Sequence, residues 1–303
     1  LGGRGGAVIP VTHLNDSGAG SLRAALTASG PRIVIFQIAG TITLNTAVVI
    51  SSPFLTVAGQ TSPGSGITLL GADVRIRTNN IIWRYTRYRG SGAGQFFIDA
   101  LGTPGNTHDI IIDHCSFAWN DDDAMNVYLE ETDCNTLTDV TIQNCIFTEA
   151  DPLHPTSLII SNSLGCLASA PRRISVIANL FANSGWRMPL LRGRQMEVLR
   201  NVLYNWSADC SEFIAFRDLS QGSEIDFLDN YYHAGPNSDG NDCIRFDTTG
   251  QSDALTPLSS VYVAGNLAAS RGVTDPGTDN WPILIQRALA EVSQALSTKG
   301  SVD

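Results

Sequence analysis

Short runs of β-branched and apolar residues recur along the chain, and each run ends at a polar residue followed by more apolar positions. Six such runs begin at Ile110, Val140, Ile174, Met196, Ile225 and Val261. The polar residues that end them are His114, Asn144, Asn179, Asn201, Asn230 and Asn266. The segment IIWRYTRY at 81–88 reads as an earlier copy, with Tyr85 at the polar position. Intervals of 22 to 36 residues between the polar positions indicate a structural repeat.

The runs are strands by pattern, because helical repeats would place apolar residues at i, i+3, i+4 and i+7. Strands of about five residues in coils of more than about 20 residues predict an all-β solenoid, the right-handed parallel β-helix. We expect the repeated asparagines to stack at its corners, where they tolerate left-handed dihedrals and bond to one another. A β-sandwich with coincidental asparagine spacing is the alternative, and five successive intervals count against it.

Both ends of a solenoid need a cover, because an open end exposes core residues and unpaired strand edges. Residues 16–29 predict an N-terminal capping helix, with Ser21 as N-cap and an apolar face of Leu22, Ala25 and Leu26. Residues 281–300 predict a C-terminal amphipathic helix that ends at Gly300. No Pro/Ser-rich linker divides the chain, so we expect a single domain over 1–303.

Composition and charge exclude some classes of function. The 303 residues carry a formal charge of −10, and Lys299 is the only lysine beside 18 arginines. An acidic chain without basic blocks is a poor nucleic-acid binder, and no apolar run approaches the roughly 18–20 residues of a membrane span. The arginine bias suits recognition of carboxylates, although compositional drift explains it equally well. The opening residues LGGRGGAVIP lack the pattern of a signal peptide.

Six cysteines occur at 115, 134, 145, 166, 210 and 243, and no CxxC is present, which counts against a zinc site. Their even number permits disulfides in an oxidising compartment. The sequence does not select among the pairings.

Seven segments occur in the order found in the pectate lyase superfamily, and the chain resembles the compact bacterial members of polysaccharide lyase family 1. They are GGRGGAVIPVTHLNDSGAGSLRAAL, RIVIFQIAGTITL, LTVAGQTSPGSGITLLG, RYTRYRG, IDHCSFAWNDDDAMNVY, RMPLLRG and VLYNW. They cover roughly residues 2–240. The resemblance implies a right-handed parallel β-helix that cleaves polygalacturonate by calcium-dependent β-elimination.

The resemblance also implies roles for two arginines in RMPLLRG. Arg187, the first arginine of the family's RxPxxR pattern, would remove the proton at C5 of a uronate. Arg192, the second, would hold a substrate carboxylate in bidentate fashion. An arginine is a base only if nearby cations and burial lower its pKa. From the residues alone, both arginines could instead simply pair with neighbouring acidic groups.

Calcium needs oxygen ligands from several segments. The run WNDDDAMNVY supplies Asp122, Asp123 and Asn126, and FFIDALG supplies Asp99, at the position where the family carries a ligand one coil earlier. The alternative is a solvated acidic turn. Ile98 stands where family members often carry a second acidic residue, which would weaken the calcium site. His114, just before the acidic loop, is expected to fill one of the stacked corner positions and to be structural.

Substrate contacts are expected from His154 and Trp186 in addition to Arg192. The family commonly places a lysine after the acidic loop, but here Thr156 stands near that place and His154 is the only nearby basic group. Trp186 adjoins Arg187 and could stack on a sugar ring. Glu149 and Asp151 could either reach the groove or lie on the surface.

Three classes of function remain open: a calcium-dependent pectate lyase, a glycoside hydrolase and a non-catalytic glycan-binding or assembly protein. A hydrolase needs an acid/base carboxylate pair, and its Gly-His-Gly and Arg-Ile-Lys motifs are absent from the sequence. The missing lysine favours the non-catalytic protein. The lyase interpretation is preferred, with a secreted monomer acting on an acidic polysaccharide.

Overall fold

Three parallel sheets, A, B and C, make up the fold, and successive coils of the chain add one strand to each in turn. The computed structural model describes residues 1–90, 94–100, 107–129, 136–163, 170–208, 210–214, 224–238, 243–247, 260–278, 280 and 283–286. These residues form one continuous stack of strands.

The strand order shows how the chain winds. Sheet A contains β1 Ala7–Val11, β2 Arg32–Phe36, β5 Leu55–Ala58, β8 Ile81–Arg84, β11 Ile110–Asp113, β14 Thr138–Gln143, β17 Arg172–Ile177, β20 Arg194–Leu199, β23 Glu224–Leu228 and β26 Ser260–Ala264. Sheet B contains β3 Gly40–Leu44, β6 Ile67–Gly71, β9 Thr86–Arg89, β12 Ser116–Ala118, β15 Ile146–Thr148, β18 Leu180–Ala182, β21 Val202–Tyr204, β24 Tyr231–His233 and β27 Leu267–Ala268. Sheet C contains β4 Val48–Ile50, β7 Val74–Ile76, β10 Phe96–Asp99, β13 Met125–Leu129, β16 Leu158–Asn162, β19 Leu190–Leu191, β22 Ser211–Ile214, β25 Ile244–Asp247 and β28 Leu284–Gln286. The predicted parallel β-helix is confirmed.

Alternating burial along the strands explains the core. In β14 every second side chain is buried, so the β-branched residues of each run point inward. Phe117, Phe147 and Phe181 stack on successive coils of sheet B, with ring centroids 4.9 and 4.8 Å apart. Like residues at like positions of successive coils therefore form continuous columns inside the helix.

The N-terminal cap is a short helix, α1 Leu22–Thr27, inside the predicted range 16–29. The Ser21 side chain accepts a hydrogen bond from the backbone N of Ala24 at 3.2 Å, as expected of an N-cap. The predicted apolar face of Leu22, Ala25 and Leu26 is buried. The buried guanidinium of Arg32 donates to the carbonyls of Ala25 and Leu26, which satisfies the end of the helix.

The predicted C-terminal helix over 281–300 is wrong in the part that the structure describes. Leu284–Gln286 forms β28, which pairs with β25 and continues sheet C. The run ILI reads equally well as a strand, and pairing with an existing sheet edge favours that form. Residues 281–282 and 287–300 of this prediction lie outside the described residues.

Within the described ranges, no helix has the length and apolarity to cross a membrane.

An asparagine ladder runs along the A–B corner, the set of turns that lead from sheet A to sheet B. Each buried Asn side chain donates to Oδ1 of the asparagine one coil further on, at 2.9–3.0 Å, through Asn179, Asn201, Asn230, Asn266 and Asn280. The expected stacking is thus confirmed for Asn179, Asn201, Asn230 and Asn266. The left-handed dihedral lies one residue earlier, as at Ala178 and Arg200 with φ of 54° and 56°.

His114 and Asn144 were expected in this ladder, and that prediction is wrong by one residue. Both have left-handed φ, 56° and 53°, which places them in the position that precedes the ladder. Cys115 and Cys145 occupy the ladder itself, and the backbone N of Cys145 donates to Asn179 Oδ1 at 2.8 Å. Cys115, Cys145, Cys210 and Cys243 are buried, whereas Cys134 and Cys166 lie outside the described residues.

Candidate functional site at the B–C corner

The candidate site lies at the B–C corner, the set of turns that lead from sheet B to sheet C. Four successive turns each begin with a left-handed residue, at φ between 52° and 63°: Trp119, Glu149, Asn183 and Asn205. Because the turns stack in register, side chains from segments that are distant in sequence meet here. They belong to the turns that lead into β13, β16 and β19.

Arg187 contacts two of the three carboxylates of the acidic run, those of Asp122 and Asp123. Its Nη1 donates to Oδ2 of Asp123 at 2.7 Å and lies 3.7 Å from Oδ1 of Asp122. Asp123 is 3% exposed, whereas Asp122 is partly exposed and its Oδ1 lies 2.8 Å from Nδ1 of His154. The two carboxylates thus have different environments, one buried against the guanidinium and one open to solvent.

Trp186 completes what we call the Arg187 cluster, formed by Asp122, Asp123, His154, Trp186 and Arg187. The Trp186 ring meets His154 edge to face, with centroids 5.6 Å apart, and the Arg187 guanidinium lies 5.2 Å from its centroid. A parallel bridge between Trp186 and Thr156 positions this turn against the preceding coil. Five of the residues singled out in the sequence are therefore side by side.

Two buried polar atoms in the cluster lack a hydrogen-bond partner among the described residues: Oδ1 of Asp123 and Nε of Arg187. Buried polar atoms are nearly always paired, so such atoms suggest a place for a ligand. Burial raises the pKa of Asp123 to about 6, although the charge of Arg187 acts in the opposite direction. Keeping this carboxylate ionised and buried is unfavourable unless cations surround it.

Asp99 does not join the cluster. It ends β10 and lies opposite Tyr128 of β13, five residues beyond Asp123 and roughly 10 Å along the strand from Met125, where β13 begins. Its buried carboxylate accepts from Arg77 at 2.6 Å and from Arg75 at 3.4 Å. These ion pairs indicate a structural role for Asp99.

Arg192 lies at the other end of β19 from Arg187. Its backbone N donates to the carbonyl of Ile160 at 2.8 Å, at the end of the strand where Asp99 also lies in the register of sheet C. The side chain is partly exposed. A ligand held by both arginines must therefore extend across the outer face of sheet C.

The residues suit a hard cation in part. Asp122 and Asp123 supply adjacent carboxylates, and the buried Oδ1 of Asp123 is a ligand atom without a partner among the described residues. Asn126, three residues on, donates Nδ2 to Oε1 of Gln95 at 3.0 Å, a bond that does not engage its oxygen. Among the described residues, no group of three His, Cys, Asp or Glu side chains is arranged to hold a metal. A calcium ion here would need ligands beyond these carboxylates.

Sequence reasoning missed Trp119 and Asn120, which open the acidic turn. Asn120 is fully buried, and its Nδ2 donates to the carbonyl of Gly94 at 3.0 Å. Trp119 is largely exposed, and its Nε1 donates to Glu149 Oε2 at 3.0 Å. A tryptophan placed directly before an acidic run was the available signal.

The curated proteins that the chain resembles in sequence are named as probable pectate lyases. No family model matches the chain. Probable pectate lyase C of Aspergillus fumigatus is 34% identical over 240 residues, which make up 78% of this chain and 52% of that protein. The corresponding protein of Aspergillus flavus is 33% identical over 239 residues, with the same shares. By sequence the chain is similar to these probable pectate lyases. The resemblance to that superfamily is confirmed, and the chain spans about half the length of the curated relatives it matches.

Solved structures agree with the fold. The cedar pollen allergen Jun a 1 is 14% identical and superposes with a TM-score of 0.58 over 98% of this chain and 84% of its own. The pectate lyase Bsp165PelA of Bacillus sp. N165, solved in complex with trigalacturonate, is 15% identical, also with a TM-score of 0.58, over 97% and 91%. At these identities the likeness concerns the fold alone.

Proposed function

We propose that this chain cleaves polygalacturonate, or a closely related uronate polymer, by calcium-dependent β-elimination. The observation that carries the proposal is the Arg187 cluster, in which a guanidinium contacts two adjacent carboxylates and two buried polar atoms have no hydrogen-bond partner among the described residues. The identity of 34% to a probable pectate lyase C supports the reaction class. The trigalacturonate bound by the Bacillus neighbour supports the substrate class.

Arg187 is the proposed base. It takes the proton from C5 of a uronate, the C4–C5 double bond forms from the C–H electrons, and the C4–O4 bond breaks with its electrons on the leaving oxygen. In the structure its Nη1 donates to the carboxylate of Asp123. Arg187 therefore acts as a base only when the charge of that carboxylate is drawn away from it.

Asp122, Asp123 and Asn126 are the proposed ligands of calcium. A bound calcium ion would supply positive charge that stabilises the charge developing on the uronate carboxylate. Sharing of the Asp123 carboxylate with a second cation would weaken its hold on Arg187. Asp99 is left out of this set, because Arg75 and Arg77 engage it at the far end of its strand.

Substrate positioning is assigned to Arg192, His154 and Trp186. Arg192 would bind a uronate carboxylate through two parallel hydrogen bonds. His154 is the basic group nearest to the place of the family's lysine, since Thr156 is uncharged and fully buried. Trp186 would pack against a sugar ring beside the base. We further propose that the protein is secreted, because a polymeric substrate must be met outside the cell. We also propose that it acts as a monomer.

A single assay tests this function. The protein is incubated with polygalacturonate at alkaline pH, with calcium or with a chelator, and the ultraviolet absorbance of the unsaturated product is followed. A calcium-dependent rise is expected. New reducing ends without that absorbance would indicate hydrolysis. Neither signal would indicate a non-catalytic protein, and either result would refute the proposal.

A further inference from the structure

Trp119 is the most exposed aromatic residue of the described B–C corner. It is 56% exposed and follows β12 with a left-handed φ of 63°. Single exposed apolar residues are common on protein surfaces and need no explanation by themselves. The way in which this ring is held distinguishes it.

Its ring is fixed at two places. Nε1 donates to Oε2 of Glu149 at 3.0 Å, and the Arg89 guanidinium lies 5.5 Å from the ring centroid. Arg89 is itself held by Ser116, through the carbonyl at 3.1 Å and Oγ at 3.0 Å. A flat apolar surface is thus presented to solvent in one orientation, and little side-chain entropy would be lost when a ligand binds.

The turn beneath the ring is also anchored. The Nδ2 of Asn120 donates to the carbonyl of Gly94 in the preceding coil at 3.0 Å. The backbone carbonyl of Asn120 accepts from the backbone N of Asp151 in the following coil, also at 3.0 Å. Trp119 precedes Asp122 by three residues, so their Cα atoms lie within about 11 Å. Trp119 is therefore carried by an anchored turn, the same turn that supplies Asp122 and Asp123 to the Arg187 cluster.

We propose that Trp119 is a stacking platform for a sugar ring of the polyuronate chain, outside the unit that reacts at Arg187. The proposal rests on the proposed function and assigns one more contact for the same polymer. The C–H face of a pyranose packs on an indole ring while its hydroxyls stay in water. The Glu149 carboxylate at the indole N–H repels a uronate carboxylate, so the sugar would bind with its own carboxylate directed away from that edge.

The test compares binding of hexagalacturonate and trigalacturonate by calorimetry in the presence of calcium. An Arg187→Lys background prevents turnover during the titration. Trp119→Ala is expected to weaken hexagalacturonate binding about tenfold and trigalacturonate binding less. Trp119→Phe keeps a flat ring but loses the bond to Glu149, and should retain most of the affinity. Tyr231→Ala, which removes a 40% exposed ring on sheet B, should leave binding unchanged.

Equal thermal unfolding temperatures of these variants establish that their fold is intact. Unchanged affinity of Trp119→Ala, equal weakening by Trp119→Phe, or no hexagalacturonate binding by the parent would each overturn the platform. If binding depends on Trp119 but the wild-type chain forms no unsaturated product, the platform stands and the proposed lyase function fails.

Discussion

The A–B and B–C corners share a left-handed backbone conformation but differ in how their polar side chains are paired. Both place left-handed residues at the start of stacked turns. At the A–B corner the asparagines of the ladder are buried and bonded to one another. At the B–C corner, Asp123 and Arg187 each keep a buried atom without a partner among the described residues, and Trp119 is exposed.

The difference shows how a repetitive fold can separate stability from function. A ladder in which every coil repeats the same residue closes its hydrogen bonds internally. A corner whose residues change from coil to coil brings unlike charges together and leaves some of them available to a ligand. Substitutions at the two corners should therefore affect different measurements.

The largest expected effect is on turnover. Arg187→Lys should lower the rate of formation of the unsaturated product about a thousandfold, because the single nitrogen of lysine does not reproduce the reach and planar geometry of the guanidinium. The lysine can still pair with Asp123, so the unfolding temperature should change little. Arg173→Lys is the matched control, since Arg173 also has φ of 54° and pairs with an aspartate, Asp139, away from the site. A near-normal rate in Arg187→Lys would exclude Arg187 as the base.

The next effect concerns stability at the A–B corner. Asn201→Ala should lower the free energy of unfolding by about 3 kcal/mol, because Asn179 loses its acceptor and the carbonyl of Val176 loses its donor in a buried site. Denaturant titration measures the change. Asn183→Gly at the B–C corner keeps the left-handed backbone accessible and removes one acceptor for Asn205, so a loss of about 1 kcal/mol or less is expected. Equal losses would contradict the comparison.

A pH-dependent effect is expected beside the ladder. Burial acts to raise the pKa of Asp113, but hydrogen bonds from Asn144, His114 and Arg84 outweigh it and lower the pKa below the ordinary value. A lowered pKa stabilises the fold above pH about 4 and ceases to do so as the pH falls through the folded-state pKa. Asp113→Asn should therefore cost about 2 kcal/mol at neutral pH and progressively less below pH about 4.

Unfolding curves at several pH values measure this difference, with the exposed Asp121→Asn as control. A stability difference that stays constant or grows as the solution is acidified would contradict the assignment.

The smallest effect is on calcium affinity. Asp123→Asn should weaken calcium binding by about tenfold or more, because it removes a charged ligand beside Asp122. Asp99→Asn should lower the unfolding temperature without changing calcium affinity, since the ion pair with Arg77 is lost and Arg75 keeps only its pair with Asp73. Calorimetric titration with calcium distinguishes the two. Equal weakening of calcium binding in both variants would indicate that Asp99 is a calcium ligand.

Sequence reasoning recovered the repeat, the parallel strands, the N-terminal helix and most of the asparagine ladder. It misplaced His114 and Asn144 by one residue, because alignment of the runs did not show that Cys115 and Cys145 could fill a position held elsewhere by asparagine. It also predicted a helix at residues that pair with the edge of sheet C. In both cases a neighbouring coil, absent from any local pattern, decided the outcome.

The candidate site was predicted in part. Asp122, Asp123, His154, Trp186 and Arg187 were all named from the sequence, and the structure brings them together. Asp99 was placed by family position and proved to lie at the far end of its strand. The exposure of Trp119 and its bond to Glu149 depend on the register between β12 and β15, which no spacing in the sequence reveals.

Periodicity by itself determined that this chain winds into a β-helix, because burial of apolar faces at regular intervals depends only on the order of residues. Register between coils was settled only by tertiary packing, since a shift of one residue turns each side chain to the opposite face of its sheet. That register decides which carboxylate meets Arg187 and which one is engaged by Arg75 and Arg77.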